Sequence, residues 1–378
     1  MLKTVRLSPK LEPALKSGHP WLYRNHLPAH KLQMGDWVRA EAGAVSRIGL
    51  FDAEGAIGLR FFDAQGVPDR TWTEDRVKTA LKLRSLITSD TDAYRLLYGE
   101  GDHLPGLVAD RYGRFVVLKT YAESVEALLP EVTRALSKQL KLKGVVRRTS
   151  GGLDALWGEP PPPELTVSEH GLKFIANLYE GQKTGLFLDQ RENRQTVREL
   201  AGGRRVLNLF SYNGGFSVYA LAGGAASVRS VDIAEAANRD AERNAQLNGF
   251  AERHEAVTAD VFELLKLYAN RGEHFDLVIL DPPSLAHNKA SRRAAERAYR
   301  RLNKLAFRVV EPGGLLVSSS CTSQISPELF RRILMDAAFE ASASAQIIHE
   351  AGHALDHPVP LAFPEGRYLK FMVMRAGV

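Results

Sequence analysis

A chain of 378 residues exceeds what one hydrophobic core usually serves, so two or three domains are expected, and 44% hydrophobic with 25% charged residues is an ordinary globular composition. One cysteine excludes an internal disulfide, no run approaches the roughly 18 apolar residues of a spanning helix, and the opening Met1-Leu-Lys-Thr-Val-Arg has no hydrophobic signal region; a cytoplasmic chain with no membrane partner is expected. The net charge of +6 permits a polyanionic partner through counterion release, but 50 basic against 44 acidic residues make the excess small.

In chain order, residues 35–40 and 57–62 have β character with Gly-rich turns between them, and a small β-barrel fits residues 1–70. Within it Lys10, Lys16, His19 and Arg24 set cations beside Trp21, the combination that RNA stacking and phosphate contact require; a core tryptophan with solvated basic neighbours would read the same way. A mixed α+β region follows over 71–180, with a strand at 115–120, a helix near 125–140 and strand character at 144–147. It closes on Pro160-Pro161-Pro162-Pro163, which can be neither helix nor sheet interior and marks a stiff surface connection.

Over 181–378 apolar strands alternate with helical stretches, the pattern of an α/β, doubly wound, mostly parallel sheet. Strands are expected over 205–210, 227–231, 275–280, 315–321 and 368–374, with helices over 189–200, 234–247, 291–310 and 327–339. In the third of these helices Ala298, Leu302, Leu305 and Val309 share an apolar face, and Arg293, Arg297, Arg301 and Lys304 line another that would suit phosphates or simply water.

Three strand ends carry the chemistry, because ligands of open α/β sheets bind outside the carboxyl ends of the strands. After Asn208-Leu209-Phe210 comes the turn Ser211-Tyr212-Asn213-Gly214-Gly215-Phe216, and about 20 residues further the next strand ends in Asp232, the spacing at which an acid accepts both hydroxyls of a ribose. A dinucleotide would need G-x-G-x-x-G to hold its pyrophosphate, which this turn lacks. S-adenosylmethionine has no phosphate and carries a sulfonium cation, so a close glycine pair flanked by acceptors and acids suits it better, with Asp260 near the third strand as the partner of the adenine amine. The strand 275–280 ends in Asp281-Pro282-Pro283-Ser284, a carboxylate beside a rigid ledge with two N–H donors withdrawn. Cys321 closes the run Leu315-Leu316-Val317-Ser318-Ser319-Ser320-Cys321, where a nucleophile would face a bound substrate, although a free cysteine also behaves as a small buried hydrophobe.

Two further motifs do not hold up. His349-Glu350-Ala351-Gly352-His353 fits H-E-x-x-H, but the apolar run before it reads as a strand and Gly352 disfavours the helix that zinc chemistry needs, so no metal is expected. Gly181-Gln182-Lys183-Thr184 resembles the end of a P-loop, yet Gln182 interrupts the Gly-Lys pair.

Taken together, Gly185-Leu-Phe-Leu-Asp-Gln190-Arg191-Glu-Asn-Arg194, Asn208 to Phe216, Asp281-Pro-Pro, Ser320-Cys321, His357-Pro358 and Phe363-Pro-Glu-Gly366 resemble the PUA-domain family of 23S rRNA cytosine-5 methyltransferases, as do Gly18-His19-Pro20-Trp21 and Gly99 to Gly106 nearer the N-terminus. The resemblance implies an N-terminal PUA barrel, a small α+β middle domain and a C-terminal class I methyltransferase with a seven-stranded sheet. It implies S-adenosylmethionine as cofactor, held by Gln190 and Arg191 besides the turn and acids above, and 23S ribosomal RNA or a large-subunit assembly intermediate as partner, with homodimer formation left open. Cys321 would add to C6 of cytosine and make C5 electron-rich, Asp281 would hold the N3 and N4 edge, and Pro282 and Pro283 would line the base. Two-cysteine RNA methyltransferases carry a second cysteine beside that proline, and here Pro282-Pro283-Ser284 stands instead, which leaves resolution of the adduct open. The alternatives are a purine N-methyltransferase without an adduct, for which Cys321 is dispensable, a ribosome-binding PUA protein with a degenerate catalytic domain, and an NAD dehydrogenase.

Overall fold

The computed structural model describes residues 2–87, 89–181, 183–285 and 290–377, so Gln182 lies outside the described residues. The chain forms two compact units: Met1–His170 with Ala176–Leu188 and Leu355–Gly366, and Gly171–Ile175 with Asp189–Ala354 and Arg367–Val378.

The first unit begins with β1 (Lys3–Arg6), α1 (Glu12–Lys16), β2 (Trp21–Tyr23), β3 (Trp37–Ala42), β4 (Val45–Phe51) and β5 (Ile57–Phe62), a five-stranded sheet in the order β1-β3-β4-β5-β2. Burial alternates residue by residue along β3, as a strand with one covered face requires, and Val38, Ala40, Leu22 and Leu59 meet Leu15 of α1 in one core. Next come α2 (Arg70–Arg84), capped by the Asp69 carboxylate on the Trp72 N–H at 2.8 Å, β6 (Ala93–Tyr98), β7 (Leu107–Tyr112), β8 (Phe115–Thr120), α3 (Leu129–Gln139), β9 (Gly144–Thr149) and β10 (Gly152–Gly158). These strands form a second five-stranded sheet in the order β10-β9-β8-β7-β6, and Val77 of α2 and Val132 of α3 share its core with Leu96, Leu107 and Val116. Buried ion pairs tie this unit together: Arg60 to Asp52 at 2.7 Å, Arg84 to Asp102 at 2.6 Å and Arg95 to Asp110 at 2.8 Å. The segment Leu355–Gly366 belongs here, held by Asp356, whose carboxylate accepts from the Arg95 N–H at 2.7 Å and whose carbonyl accepts from Arg84 at 2.8 Å. β11 (Leu165–Glu169) is in the first unit, and β12 (Leu172–Ala176) carries the excursion Gly171–Ile175 that counts with the second.

The second unit alternates helix and strand: α4 (Arg191–Leu200), β13 (Arg205–Leu209), α5 (Gly215–Ala222), β14 (Ser227–Asp232), α6 (Glu235–Leu247), β15 (His254–Thr258), α7 (Val261–Arg271), β16 (Phe275–Leu280), α8 (Arg292–Phe307), β17 (Val310–Ser320), α9 (Pro327–Glu340), β18 (Ala345–Ala351) and β19 (Lys370–Ala376). They build a seven-stranded sheet in the order β15-β14-β13-β16-β17-β19-β18, parallel except that β19 runs antiparallel to both neighbours. Side chains sort by strand period: Leu277, Ile279, Leu315 and Val317 pack with α4 to α6, and Val278, Leu280, Leu316 and Met372 with α7 to α9. Strand order reverses at β13 and β16, so the crevice beyond their carboxyl ends is where a ligand belongs.

Two expectations are corrected. The strand expected over 315–321 begins earlier, at Val310, and takes in Pro312-Gly313-Gly314 as a bulge: Phe275 pairs with Val310 and Leu277 already pairs with Leu315. Gly313 there has φ +79°, which favours glycine. Of the apolar face expected on α8, Leu302, Leu305 and, just past the helix end, Val309 are buried, but Ala298 is only half-buried; Ala295, Tyr299 and Ala306 complete the buried face, so the tyrosine rather than Ala298 meets the core.

Candidate functional site

The turn after β13 is held in an uncommon backbone shape. Phe210 (φ +58°), Tyr212 (φ +48°) and Gly214 (φ +76°) all lie in the left-handed region, at a cost of about 1–2 kcal/mol for each of the two side-chain-bearing residues. A Cβ on Gly214 would stand 2.8 Å from the Ala241 Cβ of α6, so only glycine fits. The shape is fixed from β14: the Ser211 N–H donates to the Val231 carbonyl at 3.0 Å, and the Tyr212 N–H to the Asp232 carboxylate at 3.0 Å. The other Asp232 oxygen accepts the Ala234 N–H at 3.0 Å, and each oxygen keeps a lone pair for a ligand hydroxyl. Asp260 caps α7 through the Glu263 N–H at 3.0 Å and is exposed.

Behind the turn, Asn208 donates to Ser217 at 2.9 Å, Ser217 meets Ser230 at 2.6 Å, and Ser230 meets His254 at 2.7 Å. Burial pushes His254 down to about 4, opposed by Glu255, so the imidazole is neutral and the chain of hydroxyls uncharged. Among the described residues the buried Asn208 Oδ1 and Ser211 Oγ have no hydrogen-bond partner. Open acceptors, a strained turn that bars a side chain and a carboxylate with two available lone pairs fit an adenosyl ligand without phosphates.

On the other side of the switch point, Asp281 follows β16 and accepts from the Gln190 amide at 2.8 Å, while the Gln190 oxygen accepts from Asn193 at 2.6 Å and Asn193 donates on to the Gly352 carbonyl at 3.0 Å. This relay orients the carboxylate from α4. Arg191 beside it is fully buried and donates to Glu192 at 3.1 Å. Pro282 is buried and Pro283 exposed, so the ledge has one anchored and one outward ring. Cys321 is half-buried, one residue beyond the end of β17.

Tyr299 of α8 links the two strand ends: burial pushes its phenol up, its hydroxyl faces Ser320, and negative charge at Cys321 and at Asp281 pushes it further in the same direction. The thiol and the carboxylate follow adjoining strands, where Leu280 pairs with Ser318, and both act electrostatically on Tyr299. Lys370 lies beside Cys321 as well; burial lowers it to about 8, and charge at Cys321 raises it. Among the described residues the buried hydroxyls of Ser318 and Ser319 have no hydrogen-bond partner, so this end of β17 carries polar groups that the fold itself does not satisfy. Tyr299 and Lys370 escape a motif reading, yet a lysine inside the apolar run Tyr368-Leu369-Lys370-Phe371-Met372-Val373 was a visible signal.

The N-terminal candidates fall apart into two groups. Lys10 and Lys16 are exposed. Arg24 is taken up by the carbonyls of Asp52, Glu54 and Gly55 at 2.8, 2.7 and 2.8 Å. Trp21 donates to Glu100 at 2.8 Å and packs edge-on against Phe363 at 4.5 Å, and His19 meets Glu365 at 3.4 Å. The basic face of α8 also divides: Arg301 covers Phe262 at 5.2 Å and Lys304 pairs with Glu340 at 3.0 Å, whereas Arg293, Arg297, Arg300 and Arg332 line a surface cavity of about 360 Å³ with Glu296 and Asp336. His349 and Glu350 sit in β18, where successive side chains point to opposite faces, so the H-E-x-x-H match lacks its helix.

Comparison with known proteins agrees with this architecture. Residues 118–358 match the S-adenosylmethionine-dependent methyltransferase family and residues 5–63 a PUA-like domain. The chain is 36% identical to the ribosomal RNA large subunit methyltransferase I of Photobacterium profundum, covering 98% of both chains, and 36% identical to that of Tolumonas auensis, covering 100% of both. Among solved structures it resembles a methyltransferase complexed with SAH (TM-score 0.89, 24% identity, covering 99% of this chain and 100% of that one) and a SAM-dependent methyltransferase from Streptococcus mutans (TM-score 0.87, 23% identity, covering 99% and 100%).

Proposed function

The chain belongs to the family of S-adenosylmethionine-dependent methyltransferases that carry a PUA-like domain and act on large-subunit ribosomal RNA, and from that premise we propose that it methylates C5 of a cytosine in 23S ribosomal RNA through a covalent adduct of Cys321. The observation that carries this reading is the placement of the chain's one thiol and Asp281 just beyond the ends of the adjoining strands β17 and β16, where Leu280 pairs with Ser318. Work on ribosomal RNA implies the cytoplasm.

S-adenosylmethionine, when bound, supplies an electrophilic methyl group on a sulfonium cation. Asp232 would hold its ribose, Asp260 its adenine amine, and the turn from Asn208 to Gly214 its close approach; Gln190 acts through Asp281. At the substrate, the Cys321 thiolate forms a bond to C6, and the electron pair of the C5–C6 double bond moves toward C5. Asp281, oriented by Gln190, accepts from the N4 amine and from N3 as it becomes protonated, a stabilisation on the order of 3 kcal/mol where water is excluded. C5 takes the methyl group, a base removes the C5 proton, and the pair left behind restores the double bond as the thiolate leaves. C5 and C6 are shielded in a stacked base, so the target nucleotide must be single-stranded or flipped out. The exposed Lys10 and Lys16 would supply RNA affinity rather than chemistry.

RNA carrying 5-fluorocytidine at the target tests the reading, because fluorine cannot leave as the C5 proton does. A methylated adduct that survives denaturing electrophoresis, needs S-adenosylmethionine and vanishes in Cys321→Ala is expected. Near-normal rRNA methylation by Cys321→Ala would replace it with direct transfer to a purine nitrogen.

A further inference from the structure

Lys370 opens β19 and stands opposite Ser320 in the antiparallel register with β17, one residue before Cys321. It is 4% exposed. Its ammonium donates to the carbonyls of Thr322 at 2.5 Å and Tyr368 at 2.7 Å, so the strand ends on both sides of the thiol hold it in place. Among the described residues no carboxylate lies within ion-pair distance of it, in contrast to Arg60, Arg84 and Arg95, each of which meets an aspartate. Carbonyl dipoles solvate an ammonium without neutralising it, and a buried cation lacking a counter-charge is costly.

The group whose ionisation answers that cost is the thiol next to it. Burial pulls Lys370 down to about 8 and negative charge at Cys321 pulls it back up, an interaction that must act equally on the thiol. Among the described residues the other titratable groups packed against these strand ends are Tyr299 from α8, Asp281 beyond β16 and, on the approach to β19, Tyr368, which donates to Asp189 at 2.6 Å and packs edge-on against His353, whose ring nitrogen meets the Leu369 N–H at 3.2 Å. A free thiol, with a pKa near 8.5, is only a few per cent thiolate at neutral pH, and an adjacent cation is the usual means of raising that fraction.

We propose that Lys370 is the counter-ion of Cys321, a positioning residue whose carbonyl-anchored ammonium holds the thiol in its reactive, ionised form. The inference rests on Cys321 being the nucleophile. It gives the conspicuous lysine of an otherwise apolar strand a role in the reaction without contact to the substrate.

Because the chain has one cysteine, alkylation of the intact protein by iodoacetamide reads this thiol alone. Lys370→Met should raise the pH midpoint of alkylation by about one unit or more and slow the reaction at pH 7 about tenfold, and Lys370→Arg should largely restore both. An unchanged midpoint in Lys370→Met with parental affinity for S-adenosylmethionine overturns the proposal. Should Lys370→Met fail to fold, the parent protein answers by reciprocity: carbamidomethylation removes the thiolate and should lower the Lys370 midpoint seen by ¹³C NMR of its Cε, and no change there overturns the proposal equally. The two readings fail separately. Absence of 5-fluorocytidine trapping with Lys370-dependent alkylation intact sinks the covalent chemistry and leaves the pair standing; trapping with an alkylation midpoint indifferent to Lys370 does the reverse.

Discussion

Buried polar groups at the strand ends of the second unit are treated in the opposite way to the buried charges of the first. In the first, Arg60, Arg84 and Arg95 each meet an aspartate, and Arg84 spends its remaining donors on the carbonyls of Ala80, Arg95 and Asp356. In the second, Arg191 keeps an ion pair with Glu192, but at the strand ends, among the described residues, Lys370 has only carbonyls, Ser318 and Ser319 have hydroxyls without acceptors, and Asn208 keeps an open oxygen. Satisfied networks specify a fold, whereas unsatisfied groups gathered at the carboxyl ends of parallel strands mark the place a ligand completes. The contrast separates residues that hold the protein together from residues that wait for something.

The largest effect should come from breaking the satisfied side. Arg84→Met leaves Asp102 as an uncompensated carboxylate 8% exposed and should destabilise the first unit by about 3–5 kcal/mol. All four tryptophans, at 21, 37, 72 and 157, belong to that unit, so their fluorescence in a urea titration follows it alone. A loss below about 1 kcal/mol, the scale of an exposed pair, would mean that the pairing does not hold this unit.

The doubly wound sheet was legible because its strands are buried on both faces and read as continuous apolar runs; the strand at Phe275–Leu280 has the bounds its sequence suggests. The first unit was less so. β1 and β2 are short, and α2 is so polar that its buried stripe reduces to Thr73, Val77, Ala80 and Arg84. Nothing periodic announces that Leu355–Gly366 belongs with the first unit, since Asp356, Phe363 and Glu365 make single specific contacts rather than a repeating face. In the site, Asp232, Asp281 and Cys321 could be found because each ends a strand. Tyr299 could not, as a tyrosine on a helix gives no sign of which strand end it will face.

A smaller effect should come from the unsatisfied side. Asp232→Ala removes the carboxylate whose two oxygens each fix a backbone N–H of the turn and keep a lone pair outward. Calorimetry should show affinity for S-adenosylmethionine reduced tenfold or more, since a hydrogen bond to a charged group contributes about 1.5–3 kcal/mol, while the tryptophan transition of the first unit stays where it was. Unchanged cofactor affinity, or tight binding of NADH by the parent protein, would sink the assignment of the turn.

The smallest effect, and the finest test of what an unmatched charge means, lies on α8. Arg293 and Arg297 stand one helical turn apart, which is mildly repulsive, and among the described residues neither has an ion-pair partner, although Arg292 on the same helix pairs with Glu296 at 2.9 Å. If they meet RNA phosphates, the double variant Arg293→Gln/Arg297→Gln should lower the slope of log affinity against log salt by about 1.4, roughly 0.7 for each contact to a single strand. Arg24 supplies the contrast, because its donors are already on the carbonyls of Asp52, Glu54 and Gly55, and Arg24→Gln should leave the slope alone. Equal slopes in all three proteins would make the α8 arginines a solvated face. A drop for Arg24→Gln alone would reverse the distinction between occupied and open charges on which the comparison of the two units depends.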